Sequence, residues 1–172
     1  SPYIRDTLIK EKVFDKLLTV LASTNQTKLI KQYIWSVSCF FRTKPIPSYD
    51  IIKKSISKSD YVNAILPFSY KQFNKRFNRL LTKNRKVHIL APADIKEFLI
   101  KDLNVSNDNL KIDFMGTDEV SYILLLCTDK KMILGFFKDD ENFDQNRLLI
   151  SSEESCMKWA NDLFDYFNKE NI

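Results

Sequence analysis

Glycine and histidine are scarce in this 172-residue sequence, which holds two glycines, Gly116 and Gly135, and a single histidine, His88. Phosphate-binding loops of the P-loop and dinucleotide-binding types need several glycines at fixed spacing, so neither type can be present. One histidine also excludes a metal site or a phosphoryl-transfer site that needs two histidines of one chain. His88 stands between Val87 and Ile89 in a predicted strand, and we expect it to have a structural or solvent-exposed role.

Cysteine is sparse as well, with Cys39, Cys127 and Cys156 standing singly in apolar or helical stretches. Their odd number and the lack of a CxxC pair argue against a disulfide framework or a zinc site. We expect buried thiols in a reducing compartment. No apolar run approaches the ~18 residues of a membrane-spanning helix, and the N-terminus lacks the apolar core of a signal peptide. We therefore expect a cytoplasmic protein without metal or cofactor.

Signatures of covalent catalysis are missing too. The sequence has no GxSxG element, which carries the nucleophile of many serine hydrolases. A cysteine nucleophile would need a cysteine beside His88, and the sequence does not place one there. We therefore expect that the chain is not an enzyme.

The charge is distributed unevenly along the chain. Residues 1–86 carry 18 basic and five acidic side chains, a net charge of +13, whereas residues 87–172 carry nine basic and 17 acidic side chains, a net charge of −8. Such a basic half indicates a nucleic acid or another acidic partner. Alternatively, the two halves neutralise each other within one domain or across a dimer.

The first part of the chain is predicted to be helical, because apolar residues recur there at the 3.6-residue spacing of a helix face. Pro45 and Pro47 end the second of the two predicted helices. We place an organisational boundary between residues 45 and 59. Residues 1–59 are accordingly assigned to a helical linker or dimerisation segment, and residues 60–172 to an α/β effector domain.

Strands and helices alternate from Asp60 onwards. Short apolar or alternating runs predict strands over residues 61–66, 86–90, 110–114, 120–127, 132–137 and 148–150. Helical periodicity predicts helices over residues 69–84, 93–103 and 152–168. The β-α-β-α-β order of the first three strands implies parallel pairing. Residues 128–131, between two later strands, are typical of a hairpin turn.

Two motifs near the C-terminus carry a family resemblance. Gly135-Phe136-Phe137 leads into an acidic turn over residues 138–144, and Trp159 is followed by Leu163-Phe164-Asp165-Tyr166-Phe167. Over residues 44–172 the chain resembles the effector domain of archaeal, chiefly methanogen, winged-helix transcriptional regulators of the filament-formation and methanogenesis type. The resemblance implies a regulatory domain whose DNA-binding winged helix lies N-terminal to it. That motif is not evident in residues 1–43, so we expect it to lie outside this chain.

The order of elements is also similar to half of a phospholipase D-like fold. Active members of that superfamily need HxKxxxxD, in which the histidine attacks phosphorus and the lysine stabilises the phosphate oxygens. Placing Asp129 on the motif's aspartate puts Tyr122 at the histidine and Leu124 at the lysine. Neither side chain can take over the required step. We expect a degenerate phospholipase D-like mixed sheet flanked by helices and preceded by a helical segment.

Two groups of residues are candidates for binding. The first group lies where predicted strands pass into helices or at the equivalent of the degenerate centre, positions at which open α/β sheets bind ligands. It comprises Phe68, Ser69, Asp94, Tyr122 and Lys138. The second group is a basic stripe at four-residue intervals, suited to phosphate, an acidic ligand or the DNA backbone; it comprises Lys71, Lys75, Arg79 and Lys83. Alternatively, Phe68 and Tyr122 are core aromatics and the stripe is a solvated helix face.

The sequence and the resemblance together favour a regulatory domain that senses a small-molecule effector and forms a homodimer. It would act on DNA through the winged helix outside this chain and would not contact a membrane. Two alternatives from other classes stay open: a phosphodiesterase with an unrecognised site, and a dimerisation scaffold without a ligand. An apolar cavity with converging polar groups would favour the sensor, and a filled interior would favour the scaffold.

Overall fold

One mixed sheet organises the molecule in the computed structural model, which describes residues 40–41, 48–116, 123–138 and 140–169. The strands are β1 (Phe40–Phe41), β2 (Tyr61–Ile65), β3 (Lys86–Pro92), β4 (Leu110–Met115), β5 (Leu124–Thr128), β6 (Met132–Phe137) and β7 (Phe143–Ser151). The helices are α1 (Ser48–Ser57), α2 (Lys71–Leu81), α3 (Lys96–Asp102) and α4 (Glu154–Lys169), and a 3₁₀ turn spans Ala93–Ile95. The strand order is β1-β7-β6-β5-β2-β3-β4.

The sheet is parallel on one side and antiparallel on the other. β2, β3 and β4 pair in parallel because helical crossovers join them, as the β-α-β-α-β order implied. β5 pairs antiparallel with both β2 and β6, and β6 pairs antiparallel with β7. The predicted turn between β5 and β6 is a tight hairpin. The expected α/β class with a mixed sheet is therefore confirmed.

The helices cover both faces of the sheet. Asn63 and His88 point towards α4, where Asn63 lies 3.5 Å from Asn161 and the His88 ring contacts Phe164. Alternate residues of these strands, such as Val62 and Val87, point to the opposite face and are fully buried. Helices α1 and α2 pack against each other and against that second face.

Helix α1 contributes to the core of the α/β unit, with Ile52 and Ile56 completely buried. The predicted boundary between residues 59 and 60 would leave this helix outside the effector domain. Its buried face favours an α/β unit that includes α1, and the division between residues 59 and 60 stays a prediction. The assignment of the first 39 residues to a linker or dimerisation segment lies outside the described residues and stays a prediction.

Element ends differ from prediction mainly in the last strand. β7 extends over Phe143–Ser151, whereas the sequence predicted residues 148–150, because polar residues 144–147 in its first half hide the strand pattern. The predicted final helix is present as α4, with six buried side chains: Cys156, Trp159, Ala160, Leu163, Phe164 and Phe167. Among the described residues, no helix combines the length and the apolar character needed to cross a membrane.

Candidate functional site

Most of the predicted ligand-binding residues follow strand ends at one edge of the sheet. The pairing directions bring the carboxyl ends of β2, β3, β4 and β6 to the same edge as the amino ends of β5 and β7. Phe68 and Ser69 follow β2, Asp94 lies in the 3₁₀ turn after β3, and Lys138 follows β6. Tyr122 lies outside the described residues. No hydrogen bond or ion pair joins Asp94 to the other three described members of the group, and both Asp94 and Lys138 are exposed.

Phe68 is half-buried in a group of rings that we call the edge aromatic cluster. Its members are Tyr49, Phe68, Tyr70, Phe73, Phe137 and Phe143. The Phe68 ring centroid lies 5.4 Å from that of Phe143 and 6.4 Å from that of Phe137, the last residue of β6. Phe68, which belongs to the first crossover, therefore packs against the end of β6 and the start of β7. This contact brings it towards the segment that carries Lys138.

Ser69 is held by Asn74, a buried polar residue on the inner face of α2 that the sequence reasoning missed. Asn74 is 1% exposed; its Nδ2 donates to Ser69 Oγ at 3.0 Å and lies 3.5 Å from Asp102 Oδ2. The amide oxygen, Asn74 Oδ1, is buried and has no hydrogen-bond partner among the described residues. A buried acceptor without a partner costs about 1–3 kcal/mol. The available signal was an asparagine between Phe73 and Phe77 on the apolar side of the helix.

Three residues of the predicted basic stripe, Lys71, Lys75 and Arg79, lie on the solvent face of α2, and Lys83 follows two residues after the helix ends. Lys71, Lys75, Arg79 and Lys83 are all exposed, and none forms an ion pair with a described residue. The opposite face of the helix buries Phe73, Phe77, Leu80 and Leu81. The arrangement supplies a row of cations, spaced one helical turn apart, that no described carboxylate neutralises.

His88 takes part in a polar group on the α4 side of the sheet. Its Nε2 lies 2.6 Å from Asp113 Oδ2, and Lys111 Nζ lies 3.0 Å from the same oxygen. Burial raises the pKa of Asp113, but the hydrogen bonds from His88 and Lys111 outweigh burial and hold it below its ordinary value. With Phe164 against its ring, His88 is packed and paired. The described residues contain no group of His, Cys, Asp or Glu side chains suited to holding a metal ion.

A cavity of about 410 Å³ opens at the opposite edge of the sheet, between α1, the β5–β6 turn and the start of α4. We call it the lysine cavity; it is lined by Ile51, Lys54, Ser55, Lys58, Thr128, Lys130, Lys131 and Ser152. The sequence reasoning did not find it, because its lysines come from two segments separated by about 70 residues. The signal was a lysine pair in a hairpin turn, and only the sheet register brings that turn beside α1.

Two solved structures share this fold, and one of them is a phospholipase D family member, which confirms the expected phospholipase D-like fold. TrmBL2, an archaeal chromatin protein, superposes with a TM-score of 0.59 at 10% identity, over 98% of this chain and 64% of that chain. Nuc, a phospholipase D family member from Salmonella typhimurium, superposes with a TM-score of 0.57 at 10% identity, over 77% of this chain and 92% of that chain. At such identity the likeness concerns the fold alone.

The chain belongs to the family of the middle domain of the methanogenesis regulatory protein FilR1, whose sequence model matches residues 47–170. It is 23% identical over 133 residues to the methanogenesis regulatory protein FilR1 of Methanothrix harundinacea (strain 6Ac). That match covers 72% of this chain and 29% of the relative, so the chain spans less than a third of the relative's length. The expected resemblance to methanogen regulators is confirmed.

Proposed function

We propose that this chain is the ligand-sensing regulatory domain of an archaeal transcriptional regulator and that it has no catalytic activity. The observation that carries the proposal is the match to the FilR1 middle domain over residues 47–170. A middle domain is joined to other parts of its protein, and the chain spans 29% of the FilR1 relative. In the proposed mode of action, a reader elsewhere in the protein contacts bases, and this domain changes its state when an effector binds.

The proposed effector site is the strand-end edge around Phe68, Ser69, Tyr122 and Lys138, with Asp94 at its margin. Asn74 supports this choice for two reasons. Its Nδ2 positions Ser69, and its buried Oδ1 needs a hydrogen-bond donor that a ligand can supply. Ser69 Oγ accepts the Asn74 amide, so its own hydroxyl hydrogen is available for a polar ligand group. The rings of Phe137 and Phe143, which lie 6.4 Å and 5.4 Å from that of Phe68, offer an apolar surface beside the proposed site.

Two features support the proposal that the chain is not a phosphodiesterase. Leu124, which stands at the lysine position of HxKxxxxD, is 1% exposed within β5 and carries no charge. Asp129, at the aspartate position, accepts a hydrogen bond from the Asp60 amide at 2.8 Å, which is a structural role at the end of the strand. Burial also raises the pKa of the Cys127 thiol, so that thiol is no nucleophile at neutral pH.

DNA contact and dimerisation complete the proposed role. TrmBL2, which shares the fold, is described as binding DNA in a novel mode, and the exposed stripe on α2 gives this chain a surface for phosphate contacts.

We propose a homodimer because regulators commonly read two half-sites, and dimer symmetry supplies the spacing. The predicted seam is the N-terminal segment, and light scattering coupled to size-exclusion chromatography tests it.

The effector site is tested by a thermal-shift screen of a metabolite panel against the wild-type chain and the variants Ser69→Ala and Tyr122→Ala. A sensor at this edge predicts at least one metabolite whose stabilisation falls in either variant and persists in Ser57→Ala, an exposed serine of α1. A ligand whose stabilisation survives both changes would refute the edge assignment. If no metabolite stabilises the wild type, the dimerisation scaffold becomes the better interpretation.

A further inference from the structure

The lysine cavity lies at the edge of the sheet opposite the proposed effector site. Val62 at the start of β2 pairs with Thr128 at the end of β5, so the β5–β6 turn lies at the amino ends of the parallel strands. Ile51, Lys54 and Ser55 of α1 form one wall, and Thr128, Lys130 and Lys131 form the other. We propose that this cavity binds a small organic phosphate monoester.

The positive charge of the cavity is poorly compensated by the protein. Lys54, Lys58 and Lys131 form no ion pair with a described residue, whereas the neighbouring Lys53 pairs with Asp50 at 2.6 Å. The nearest carboxylate contact is 3.8 Å, from Asp129 Oδ2 to Lys130 Nζ. Glu153 and Glu154 follow Ser152 but do not line the cavity. Ammonium groups around one concave surface repel each other, and a bound anion removes that repulsion.

The main chain of the β5–β6 turn and the side chain of Lys130 are held in position before any ligand binds. Thr128 Oγ1 accepts hydrogen bonds from the amides of Lys130 at 3.1 Å and Lys131 at 3.0 Å, and donates to the Lys131 carbonyl. Lys130 Nζ donates to the main-chain oxygen of Lys58, which ties the turn to the end of α1. Lys54 and Lys58 are four residues apart and therefore project from the same side of the helix. Such preorganisation reduces the entropy that binding costs.

The shape and lining of the cavity favour a small molecule that carries a phosphate ester. Its volume of about 410 Å³ lies within the range of small-molecule sites. Lysine ammonium groups bind phosphate as point charges, and a phosphate ester offers three acceptor oxygens. Ile51 and the aliphatic parts of the lysines provide an apolar wall for the organic part, and Ser152 adds a hydroxyl. The lining residues include no aromatic ring, which argues against stacked single-stranded nucleic acid.

This assignment does not depend on the proposed sensor function, because it concerns binding and uses neither the edge residues nor a transcriptional readout. The test titrates ribose 5-phosphate, inorganic phosphate, sulfate and ribose into the 172-residue chain at constant ionic strength. Calorimetry measures affinity, and amide shifts in ¹H–¹⁵N spectra locate the site. The variant K54Q/K131Q removes two cavity charges, and K71Q/K75Q removes two exposed charges from α2 as the matched control.

Ribose 5-phosphate is expected to bind saturably and more tightly than inorganic phosphate or sulfate. Affinity falls about tenfold or more in K54Q/K131Q and stays within about twofold of wild type in K71Q/K75Q, as expected when charged hydrogen bonds to the ligand are removed. Amide shifts in the wild type are expected at Ser55, Lys131 and Ser152, a readout that stands even if K54Q/K131Q fails to fold.

Three results would each overturn the assignment. The first is no saturable binding of ribose 5-phosphate. The second is equal binding of ribose 5-phosphate and sulfate, which would indicate an adventitious ion only, and the third is an equal decrease of affinity in the two double variants.

Discussion

At the scale of single residues, the close packing around position 135 explains why the glycine-aromatic motif begins with a glycine. Gly135 pairs with Leu124 in β5, and the β6–β7 pairing is irregular between Gly135 and Phe137. A Cβ on Gly135 would lie 2.6 Å from Cε2 of Phe143 and 3.0 Å from Cβ of Leu124. Position 135 therefore requires glycine for lack of space, because the Phe143 ring of the edge aromatic cluster packs directly against its main chain.

Gly135→Ala is therefore expected to destabilise the chain by about 1–3 kcal/mol, the usual cost of overpacking a dense core. Gly116→Ala is the matched control, since a Cβ there meets no atom within 4 Å, and its effect should stay within about 0.5 kcal/mol. Urea unfolding followed by circular dichroism measures both. Equal stabilities for the two variants would mean that Phe143 does not pack on Gly135 in solution.

A second residue-scale prediction concerns Asp113, whose pKa is lowered because His88 and Lys111 outweigh the effect of burial. A carboxylate with a lowered folded pKa stabilises the protein fully above its unfolded pKa of about 3.9, and this contribution disappears as the pH falls through the folded value. Asp113→Asn should therefore be less stable than wild type at pH 6, and the difference should shrink below about pH 4. Urea unfolding at both pH values measures it, with the exposed Asp108→Asn as control. A difference that is constant with pH would count against the pairing.

Single residues also mark where sequence reasoning stops. The exposed stripe of α2 follows from four-residue spacing, because a helix repeats its faces regularly. Asn74 follows from no such rule: a buried asparagine on an apolar helix face becomes informative only when its neighbours Ser69 and Asp102 are known. The lysine cavity was equally out of reach, since Lys54 and Lys131 meet only through the register of β2 with β5.

At the scale of elements, α1 packs into the core although it lies on the N-terminal side of the predicted boundary. Pro45 and Pro47 do end a helical pattern, but a new helix begins at Ser48, whose Oγ donates to the main-chain oxygen of Gln145 in β7. The strands and helices from Tyr61 onwards were predictable, because their apolar periods of two and 3.6 residues are clear. Helix α1 has the same helical period, but its membership of the core depends on tertiary packing.

Ile56→Ala should cost about 2–5 kcal/mol, because it removes a fully buried side chain from the contact between α1 and the sheet. Ser57→Ala, at an exposed position of the same helix, should change stability by no more than about 0.5 kcal/mol. A chain that starts at residue 60 lacks the whole helix, and we expect it not to unfold cooperatively in urea. Cooperative unfolding of that shortened chain would support the predicted boundary between residues 59 and 60.

At the scale of the whole molecule, the uneven charge of the sequence acquires a spatial meaning. Lys71, Lys75 and Arg79 are exposed on the solvent face of α2, and no described acidic residue pairs with them. Four more lysines line the cavity at the far edge of the sheet, two from the basic half of the chain and two from the β5–β6 turn. Among the described residues of the basic half, some are neutralised within the domain, as in the pair of Arg85 with Asp60 at 3.1 Å. The chain thus offers a convex cationic face and a concave cationic site, which suit a polyanion and a small anion respectively.

The convex face leads to the last prediction: the isolated chain binds duplex DNA weakly and without sequence preference. Phosphate contacts fix position but read no bases, and the described residues include no helix-turn-helix motif. The dissociation constant should lie at about 10⁻⁴ to 10⁻⁶ M near physiological salt, and the affinity should fall steeply as the salt concentration rises.

The variant K75Q/R79Q should reduce the slope of log affinity against log salt concentration by about 0.9 for each phosphate that the protein no longer neutralises. The control K53Q/K111Q removes lysines that are already paired with aspartates, and it should change that slope little. Fluorescence anisotropy with two unrelated duplexes over a salt series measures both effects. Tight binding of one duplex that survives physiological salt would mean that the chain itself reads sequence, and that the separate DNA reader proposed for this regulator is unnecessary.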